Sequence, residues 1–272
     1  MSQRIEIDGV TFAYEESGGN GPAVMFLHGL GGSANGWLAQ LAACHDRGWR
    51  GIAPDQLGAG RSDAPPGRYS VERWAKDAER LLDALGVERA ALVGHSVGCM
   101  IAAGAAQRLG ARAWALALCG GMARWPQAYA QTFAERVRLA REGRMDLNAE
   151  AVATSGLSER CRRSDPRLEG LLREAVASNP GDRYARWAEA TAQGRIEGLE
   201  ALGCPLLAIC GSEDPVPPPA AARELAAAAP QGAVELIEGA AHWCMIEAPE
   251  ELTSALFRFL ERHAPTPGSG LG

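Results

Sequence analysis

The sequence predicts an α/β protein with a mostly parallel, eight-stranded sheet that is flanked by helices and interrupted by an inserted helical cap. Three observations lead to this fold class. Short runs of consecutive apolar residues, typical of parallel strands covered on both faces, alternate with amphipathic stretches of helix length. The alternation stops between residues 122 and 199 and then resumes. With 272 residues, 47% of them hydrophobic, the chain is long enough for one large domain with an insertion.

The first elements precede the cap. Residues 4–17 alternate apolar and polar side chains around Asp8-Gly9, which predicts a β-hairpin at the sheet edge. The continuous apolar run 23–27 predicts the first buried parallel strand. The same patterns predict the elements that follow: a helix over 36–47, a strand over 50–55, a glycine-rich loop over 55–63, a helix from the N-cap Ser70 to about Leu85, a strand over 90–93, a helix to about Arg108 and a strand over 114–119.

A change of pattern predicts the cap. Between Met122 and about Leu199 no clear strand is visible, and four charged amphipathic segments (131–146, 148–160, 165–177 and 182–192) indicate three to five helices. Alternation then resumes with a strand over 205–210, a helix over 218–229, a strand over 233–237 and a helix over 249–263. We therefore assign residues 1–121 and 200–264 to a core domain, 122–199 to the cap and the Pro/Gly-rich residues 265–272 to a flexible tail.

The segment Gly94-His95-Ser96-Val97-Gly98 predicts the nucleophile. In a chain with 33 glycines the five-residue pattern alone could arise by chance, but an apolar strand precedes it and good helix formers follow it. In this strand–turn–helix context Gly-x-Ser-x-Gly is a nucleophile elbow, in which two residues without Cβ atoms let strand and helix close around a strained serine. The start of the helix would also direct N–H groups at an oxyanion beside Ser96.

A serine hydroxyl needs a neighbouring base, and His242 is the best candidate among the five histidines. It lies in the loop directly after the last predicted strand. The other histidines are less suitable, because two belong to the turns beside the site and two lie in or at the end of helices; they are His28, His95, His45 and His263. An acid must orient this base. Asp214 or its neighbour Glu213 could serve, and the loop after the preceding strand favours Asp214.

The backbone N–H groups of Leu30 and Val97 are the predicted oxyanion hole. Val97 follows the nucleophile, and Leu30 lies in the glycine-rich loop after the first buried strand, where His28 and Gly29 allow a tight turn towards Ser96. Neither glycine-rich loop carries a complete phosphate-binding motif, and the loop around residues 58–60 is predicted to be a structural turn. No cluster has metal-ligand spacing, so that we expect no cofactor and no metal.

Composition argues against several classes of partner. The net charge of −6 disfavours binding to nucleic acid or to an anionic membrane, since both favour basic surfaces. No apolar run is long enough to span a membrane, and the N-terminal residues show no signal peptide. The seven cysteines, an odd number without a Cys-x-x-Cys pair, indicate reduced core residues in a cytoplasmic protein. We therefore expect a small-molecule partner.

Taken together, these motifs resemble those of the α/β-hydrolase superfamily. They are His28-Gly-Leu-Gly-Gly32, Asp55-x-x-Gly-x-Gly-x-Ser-Asp63, the Ser96 elbow, Gly211-x-x-Asp214 and Ala241-His242, and the match extends from about residue 4 to 262. The order serine, acid, histidine is that of this superfamily and differs from the two serine-protease orders. The resemblance implies an α/β-hydrolase fold with an inserted cap and a Ser96–Asp214–His242 triad.

Within the superfamily, the chain most resembles the bacterial esterase and lactonase branch that includes 3-oxoadipate enol-lactonases. The signs are the chain length, Pro65-Pro-Gly-Arg-Tyr-Ser70, the segment 81–89 and Ser178-Asn-Pro-Gly-Asp182 in the cap. Two features depart from that branch: Cys99 stands where a second glycine is usual, and Trp243-Cys244 is an uncommon continuation after the histidine.

The resemblance implies hydrolysis of a carboxylic ester or lactone through an acyl-enzyme. Candidates for an apolar pocket wall are Trp37, Met122, Trp125 and Trp243, each of which could instead be a core residue. Five cap arginines could bind a substrate carboxylate or form a solvated helix face: Arg124, Arg136, Arg138, Arg162 and Arg163. The same triad also serves carbon–carbon bond hydrolases, perhydrolases and thioesterases. A non-catalytic ligand receptor on this scaffold is the alternative from another class.

Overall fold

The computed structural model describes residues 2–266 and contains one eight-stranded sheet. The strands are β1 Ser2–Ile7, β2 Val10–Glu16, β3 Ala23–Leu27, β4 Arg50–Pro54, β5 Ala90–His95, β6 Ala113–Cys119, β7 Leu206–Gly211 and β8 Gly232–Ile237. Their spatial order is β1-β2-β4-β3-β5-β6-β7-β8. The pairs β1–β2 and β2–β4 are antiparallel and the other five are parallel. The predicted mostly parallel sheet with an edge hairpin is therefore confirmed. Of the predicted tail, residues 267–272 lie outside the described residues.

Eleven α-helices are assigned in the described part of the chain. They are α1 Leu38–Asp46, α2 Val71–Ala84, α3 Val97–Leu109, α4 Ala130–Arg141, α5 Met145–Gly156, α6 Glu159–Ser164, α7 Pro166–Ala177, α8 Gly181–Gln193, α9 Pro219–Ala228, α10 Cys244–Glu247 and α11 Pro249–His263. Ser70 caps α2, as predicted, because its side chain accepts the Arg73 N–H. None of the helices within residues 2–266 is long and apolar enough to cross a membrane.

The central strands have continuous apolar sequences because both faces of the sheet are covered there. Every residue of β3, β5, β6 and β7 is buried. Since successive side chains of a strand point to opposite faces, complete burial means that both faces of the sheet are covered. By contrast, the edge strand β8 exposes its first three residues, 232–234. The carboxyl ends of the four central strands are thus held in a rigid apolar core.

Five helices, α4 to α8, occupy the chain between β6 and β7, and we call residues 122–199 the cap segment. The helices pack in pairs, α4 against α8 and α5 against α7. The predicted helical segment 131–146 is divided in the structure, because α4 ends at Arg141 and the chain turns at Gly143, whose φ is +75°. The sequence pattern does not distinguish the short helix α6 from the helices on either side of it.

The glycine-rich loop after β4 is a structural turn around Asp55. The Asp55 carboxylate accepts hydrogen bonds from the N–H of Ala34 (2.8 Å), the N–H of Arg61 (2.9 Å) and the Arg61 Nε (2.8 Å). Burial alone would raise the pKa of this carboxyl, but the hydrogen bonds from Arg61 and Ala34 outweigh it and lower the pKa. A Cβ atom at Gly60 would lie 2.5 Å from the carboxylate, so this turn requires glycine.

All seven cysteines are buried and unpaired. Burial raises the pKa of their thiols, for example to about 12 at Cys44 and to about 11 at Cys204. The thiols therefore stay protonated near neutral pH and act as small core residues.

Candidate active site

Ser96 occupies a sharp turn between β5 and α3. Its φ is 55° and its ψ is −122°, a conformation that is rare for a residue with a side chain. The Ser96 N–H donates to the carbonyl of Cys119 at the end of β6 (3.0 Å), which ties the turn to the neighbouring strand. Such strain persists only where the surrounding structure enforces it. In this conformation the serine side chain lies beyond the end of the sheet.

Two glycines make this turn possible. A Cβ atom at Gly94 would lie 2.1 Å from the Gly98 carbonyl oxygen, and one at Gly98 would lie 2.2 Å from the Leu27 carbonyl oxygen. Both obstacles are backbone atoms, which cannot rotate away as a flexible side chain can. The Gly-x-Ser-x-Gly pattern is thus a packing requirement of the β5–α3 junction.

His242 and Asp214 lie in the loops after β8 and β7, and the structure joins them. His242 Nδ1–H donates to Asp214 Oδ2 (2.9 Å), while the Val216 N–H donates to Asp214 Oδ1 (2.8 Å). The Asp214 side chain is completely buried, whereas the neighbouring Glu213 is exposed. Of the two acids considered from the sequence, the structure brings Asp214 to the histidine. Because Nδ1 carries the proton towards a carboxylate, Nε2 of the neutral ring is left as an acceptor.

Ser96 and His242 open into one cavity of about 240 Å³. The His242 side chain is 15% exposed, and Ser96 is half-buried. Within the described residues Ser96 Oγ has no hydrogen-bond partner. Contacts between a nucleophile and its base are often long in a ligand-free site and shorten when substrate binds. The arrangement therefore leaves the hydroxyl free to meet a ligand, and the His242 side chain lines the same cavity.

The loop 28–32 lies directly against the elbow. A Cβ atom at Gly29 would lie 2.9 Å from Ser96 Cβ. Gln56 fixes the start of this loop, because its side chain accepts the His28 N–H (3.1 Å) and donates to the His28 carbonyl (3.0 Å). Leu30 lines the cavity, and its N–H has no acceptor among residues 2–266. Val97 is the first residue of α3, so its N–H has no acceptor within the helix. Neither N–H group predicted for the oxyanion hole is thus bound by an acceptor in residues 2–266, and their role stays a prediction.

A second buried histidine supports the site. His95 Nε2–H donates to the His242 carbonyl (3.0 Å), and the two rings are 4.7 Å apart. Burial lowers the pKa of His95 well below its usual value, and the neighbouring His242 lowers it further. Burial likewise lowers the pKa of His28. His95 is therefore a neutral hydrogen-bond donor that holds the backbone of His242.

The cavity wall contains two of the four aromatic or sulfur-containing residues predicted from the sequence. Trp125 and Trp243 line it. The structure does not bring Trp37 or Met122 to the wall. Trp37 ends a short 3₁₀ helix and packs on Phe26 of β3, with ring centroids 5.3 Å apart, so that only 1% of it is exposed. Met122 is buried where the chain leaves β6. Both are core residues.

Two cap helices supply most of the remaining wall, and of these residues only Arg136 was a candidate from the sequence. From α4 and the turn before it come Tyr129, Thr132, Phe133 and Arg136, and from α5 come Val152, Ser155 and Gly156. Their spacing of three and four residues is that of one helix face, a signal present in the sequence. Periodicity alone does not indicate which face lies over the site.

Arg136 is the one cap arginine of the five considered that lines the cavity. Within the described residues its guanidinium forms no ion pair. By contrast, Arg138, two positions further on, pairs with Glu135 and Glu142 on the exposed side of α4. An unpaired cation in the wall is suited to an anionic group on a ligand.

Comparison with known proteins identifies the architecture. A family model described as the alpha/beta hydrolase fold matches residues 22–249. The "Putative carbamate hydrolase RutD" of Escherichia coli is 29% identical over 247 residues, which cover 88% of this chain and 91% of the relative.

Two solved structures are also similar. An esterase from Thermogutta terrifontis has a TM-score of 0.88 and 28% identity, covering 97% of this chain and 100% of that one. The enol-lactonase from Burkholderia xenovorans has a TM-score of 0.87 and 27% identity, covering 95% of this chain and 100% of that one.

Proposed function

Because this chain belongs to the alpha/beta hydrolase fold family, we propose that it is a serine hydrolase that cleaves a carboxylic ester or lactone of a small organic molecule. One observation carries the proposal. Ser96, in its strained turn, and His242, backed by the buried Asp214 at 2.9 Å, open into the same cavity. A nucleophile, a base and an oriented acid are the three groups that acyl transfer to water requires.

In the proposed reaction Ser96 Oγ attacks the substrate carbonyl while His242 Nε2 takes its proton. Asp214 stabilises the imidazolium, since its carboxylate faces Nδ1–H. The N–H groups of Leu30 and Val97 donate to the oxyanion, which also lies at the N-terminus of α3. His242 then protonates the leaving oxygen, and a water activated by His242 releases the acyl group from Ser96.

The cavity supports a small substrate. Its volume is about 240 Å³, and the rings of Trp125, Phe133 and Trp243 form an apolar part of its wall. Arg136 favours a substrate that carries a carboxylate at a distance from the scissile carbonyl. Similar proteins are named as an esterase and an enol-lactonase, which are the two reaction types in the proposal.

A carbamate is the second candidate substrate. The observation in its favour is the 29% identity, over 88% of this chain, to a protein named as a carbamate hydrolase. A carbamate also presents a carbonyl to the same nucleophile and leaves a carbonyl oxygen for the same N–H groups.

The test is hydrolysis of a p-nitrophenyl ester series, from acetate to dodecanoate, together with a p-nitrophenyl carbamate. We expect Ser96→Ala to lose activity by a factor on the order of 10⁴ or more, because the nucleophile is removed. Ser254→Ala is the control, since that serine is exposed on α11. Equal rates for wild type and Ser96→Ala would contradict the proposal. The ratio of ester to carbamate kcat/KM decides between the two substrates.

A further inference from the structure

One carboxylate connects the cap segment to the loop that carries His242. Glu247 Oε2 accepts the N–H of Ala241 (3.0 Å) and the N–H of Ser158 (3.1 Å), while Oε1 accepts the Ser158 hydroxyl. Ala241 is the residue immediately before His242. Hydrogen bonds to an ionised carboxylate are stronger than those between neutral groups. Glu247 is therefore a firm link between the cap segment and the histidine loop, residues 239–243.

The same stretch of the cap segment holds the histidine loop at two more points. The Trp243 N–H donates to the Gly156 carbonyl (3.0 Å), and Arg160 Nη2 donates to the Gly239 carbonyl (3.3 Å). A Cβ atom at Gly156 would lie 2.6 Å from the ring of Trp243, so that α5 and the loop are in close contact. The backbone on both sides of His242 is thus bound to residues 156–160.

The position of this loop matters for chemistry. His242 must keep Nδ1 at Asp214 and turn Nε2 towards Ser96, and a misplacement of about 1 Å at such a group costs on the order of 10²-fold in rate. The loop has no helix or strand of its own between β8 and α10. Hydrogen bonds to neighbouring elements therefore hold it. The Glu213 N–H donates to the Ala240 carbonyl (2.9 Å), and on the cap side the Glu247 carboxylate receives three donors.

We propose that Glu247 is a positioning residue that, through Ser158 of the cap segment, holds His242 in register with Asp214 and Ser96. The cap segment is then part of the frame of the catalytic site as well as a cover for substrate. This inference rests on the proposed serine hydrolase function. It assigns Glu247 no contact with substrate.

The experiment compares Glu247→Gln, Ser158→Ala and the double variant in the full chain, with the p-nitrophenyl ester that the wild type prefers. Glutamine keeps the shape of Glu247 but removes its charge, and Ser158→Ala removes one hydroxyl without any change of charge. We expect kcat to fall about 10-fold in Glu247→Gln with KM changed by less than about twofold, because binding is preserved and orientation is lost. Ser158→Ala should show a smaller fall in kcat. Glu251→Gln, an exposed glutamate of α11, is the matched control and should behave as wild type.

Two readouts separate positioning from simple stabilisation. The double variant should be no slower than Glu247→Gln, since both changes break one shared interaction. In both single variants the loss should appear in kcat while KM stays within about twofold of wild type, because the orientation of His242 changes and the binding of substrate does not.

The inference is overturned if the variants unfold more easily but keep wild-type kcat, or if their effects simply add. If Glu247→Gln does not fold, Ser158→Ala decides the matter with the same readouts. A wild-type protein inert towards esters and carbamates would refute the proposed function instead, and the two failures are therefore distinguishable.

Discussion

The two sides of the cavity are built differently. On the sheet side, backbone sterics and buried hydrogen bonds fix each group: Gly94 and Gly98 admit no side chain, and the completely buried Asp214 accepts hydrogen bonds from Val216 and His242. On the cap side, the packing of α4 against α8 and of α5 against α7 sets the wall. In the proposed function this difference corresponds to two tasks, with chemistry assigned to the sheet side and selectivity to the cap side.

The two sides of the cavity also contact each other directly. Asn179 of the cap segment donates to the Gly31 carbonyl (3.1 Å), and the ring of Trp187 stacks on His28 with centroids 5.4 Å apart. The loop 28–32, like the histidine loop, is therefore held partly by the cap segment. Variants on each side test how strictly the sheet side and the cap side of the cavity differ in their roles.

The largest effect is expected on the sheet side, at Asp214. Asp214→Asn keeps the shape of the side chain but cannot stabilise the imidazolium, and its amide favours the wrong tautomer of His242. We expect kcat to fall by about 10⁴-fold with little change in KM, measured by steady-state ester hydrolysis. Glu213→Gln, at the exposed neighbouring acid, is the control. A loss in Glu213→Gln and not in Asp214→Asn would reverse the assignment.

An intermediate effect is expected in the pH dependence of stability, again on the sheet side. Burial lowers the pKa of His28 and His95 in the folded chain, so that the unfolded chain takes up these protons first as the pH falls. The stability they contribute is complete above a pH of about 6.5 and decreases below it, by at most about 1.4 kcal/mol per pH unit for each histidine, until that histidine is protonated in the folded chain as well.

Urea unfolding in steps of about half a pH unit below neutrality measures this slope. In His95→Gln the slope should decrease by the share of one histidine, whereas His45→Gln, at an exposed position, should keep it. An unchanged slope in His95→Gln would show that His95 is not held neutral.

The smallest effect is expected on the cap side, at Arg136. Arg136→Gln should raise KM for mono-p-nitrophenyl succinate about 10-fold, the order expected for one lost hydrogen bond to a charged group, and leave KM for p-nitrophenyl butyrate unchanged. Arg138→Gln is the matched control, because that side chain is about half exposed and pairs with Glu135 and Glu142. Equal changes in KM for the charged and the neutral ester would contradict the proposal that the substrate carries a carboxylate.

Sequence reasoning predicts the fold well where local rules dominate, whereas the roles assigned to the site residues stay predictions. The strands that are buried on both faces have continuous apolar sequences, and the elbow is defined within five residues. Asp214 and His242 could be located because each follows a recognisable strand. Their direct contact, 28 residues apart in the chain, is a consequence of the parallel pairing of β7 and β8.

It failed where tertiary packing decides. Trp37 and Met122 are apolar residues near predicted site loops, but both are buried away from the cavity wall. The inward face of α4 depends on its packing against α8, and no local pattern distinguishes Arg136 from Arg138. The link from Glu247 to Ser158 joins residues 89 apart in the chain and has no sequence motif.

Covalent labelling of the nucleophile with a fluorophosphonate, followed by mass spectrometry of the intact protein and its peptides, tests the serine mechanism itself. We expect one adduct per chain, located on Ser96, abolished in Ser96→Ala and strongly slowed in His242→Ala, whereas Ser254→Ala is labelled as rapidly as wild type. An adduct at another residue, or equal labelling of Ser96→Ala, would contradict the serine mechanism.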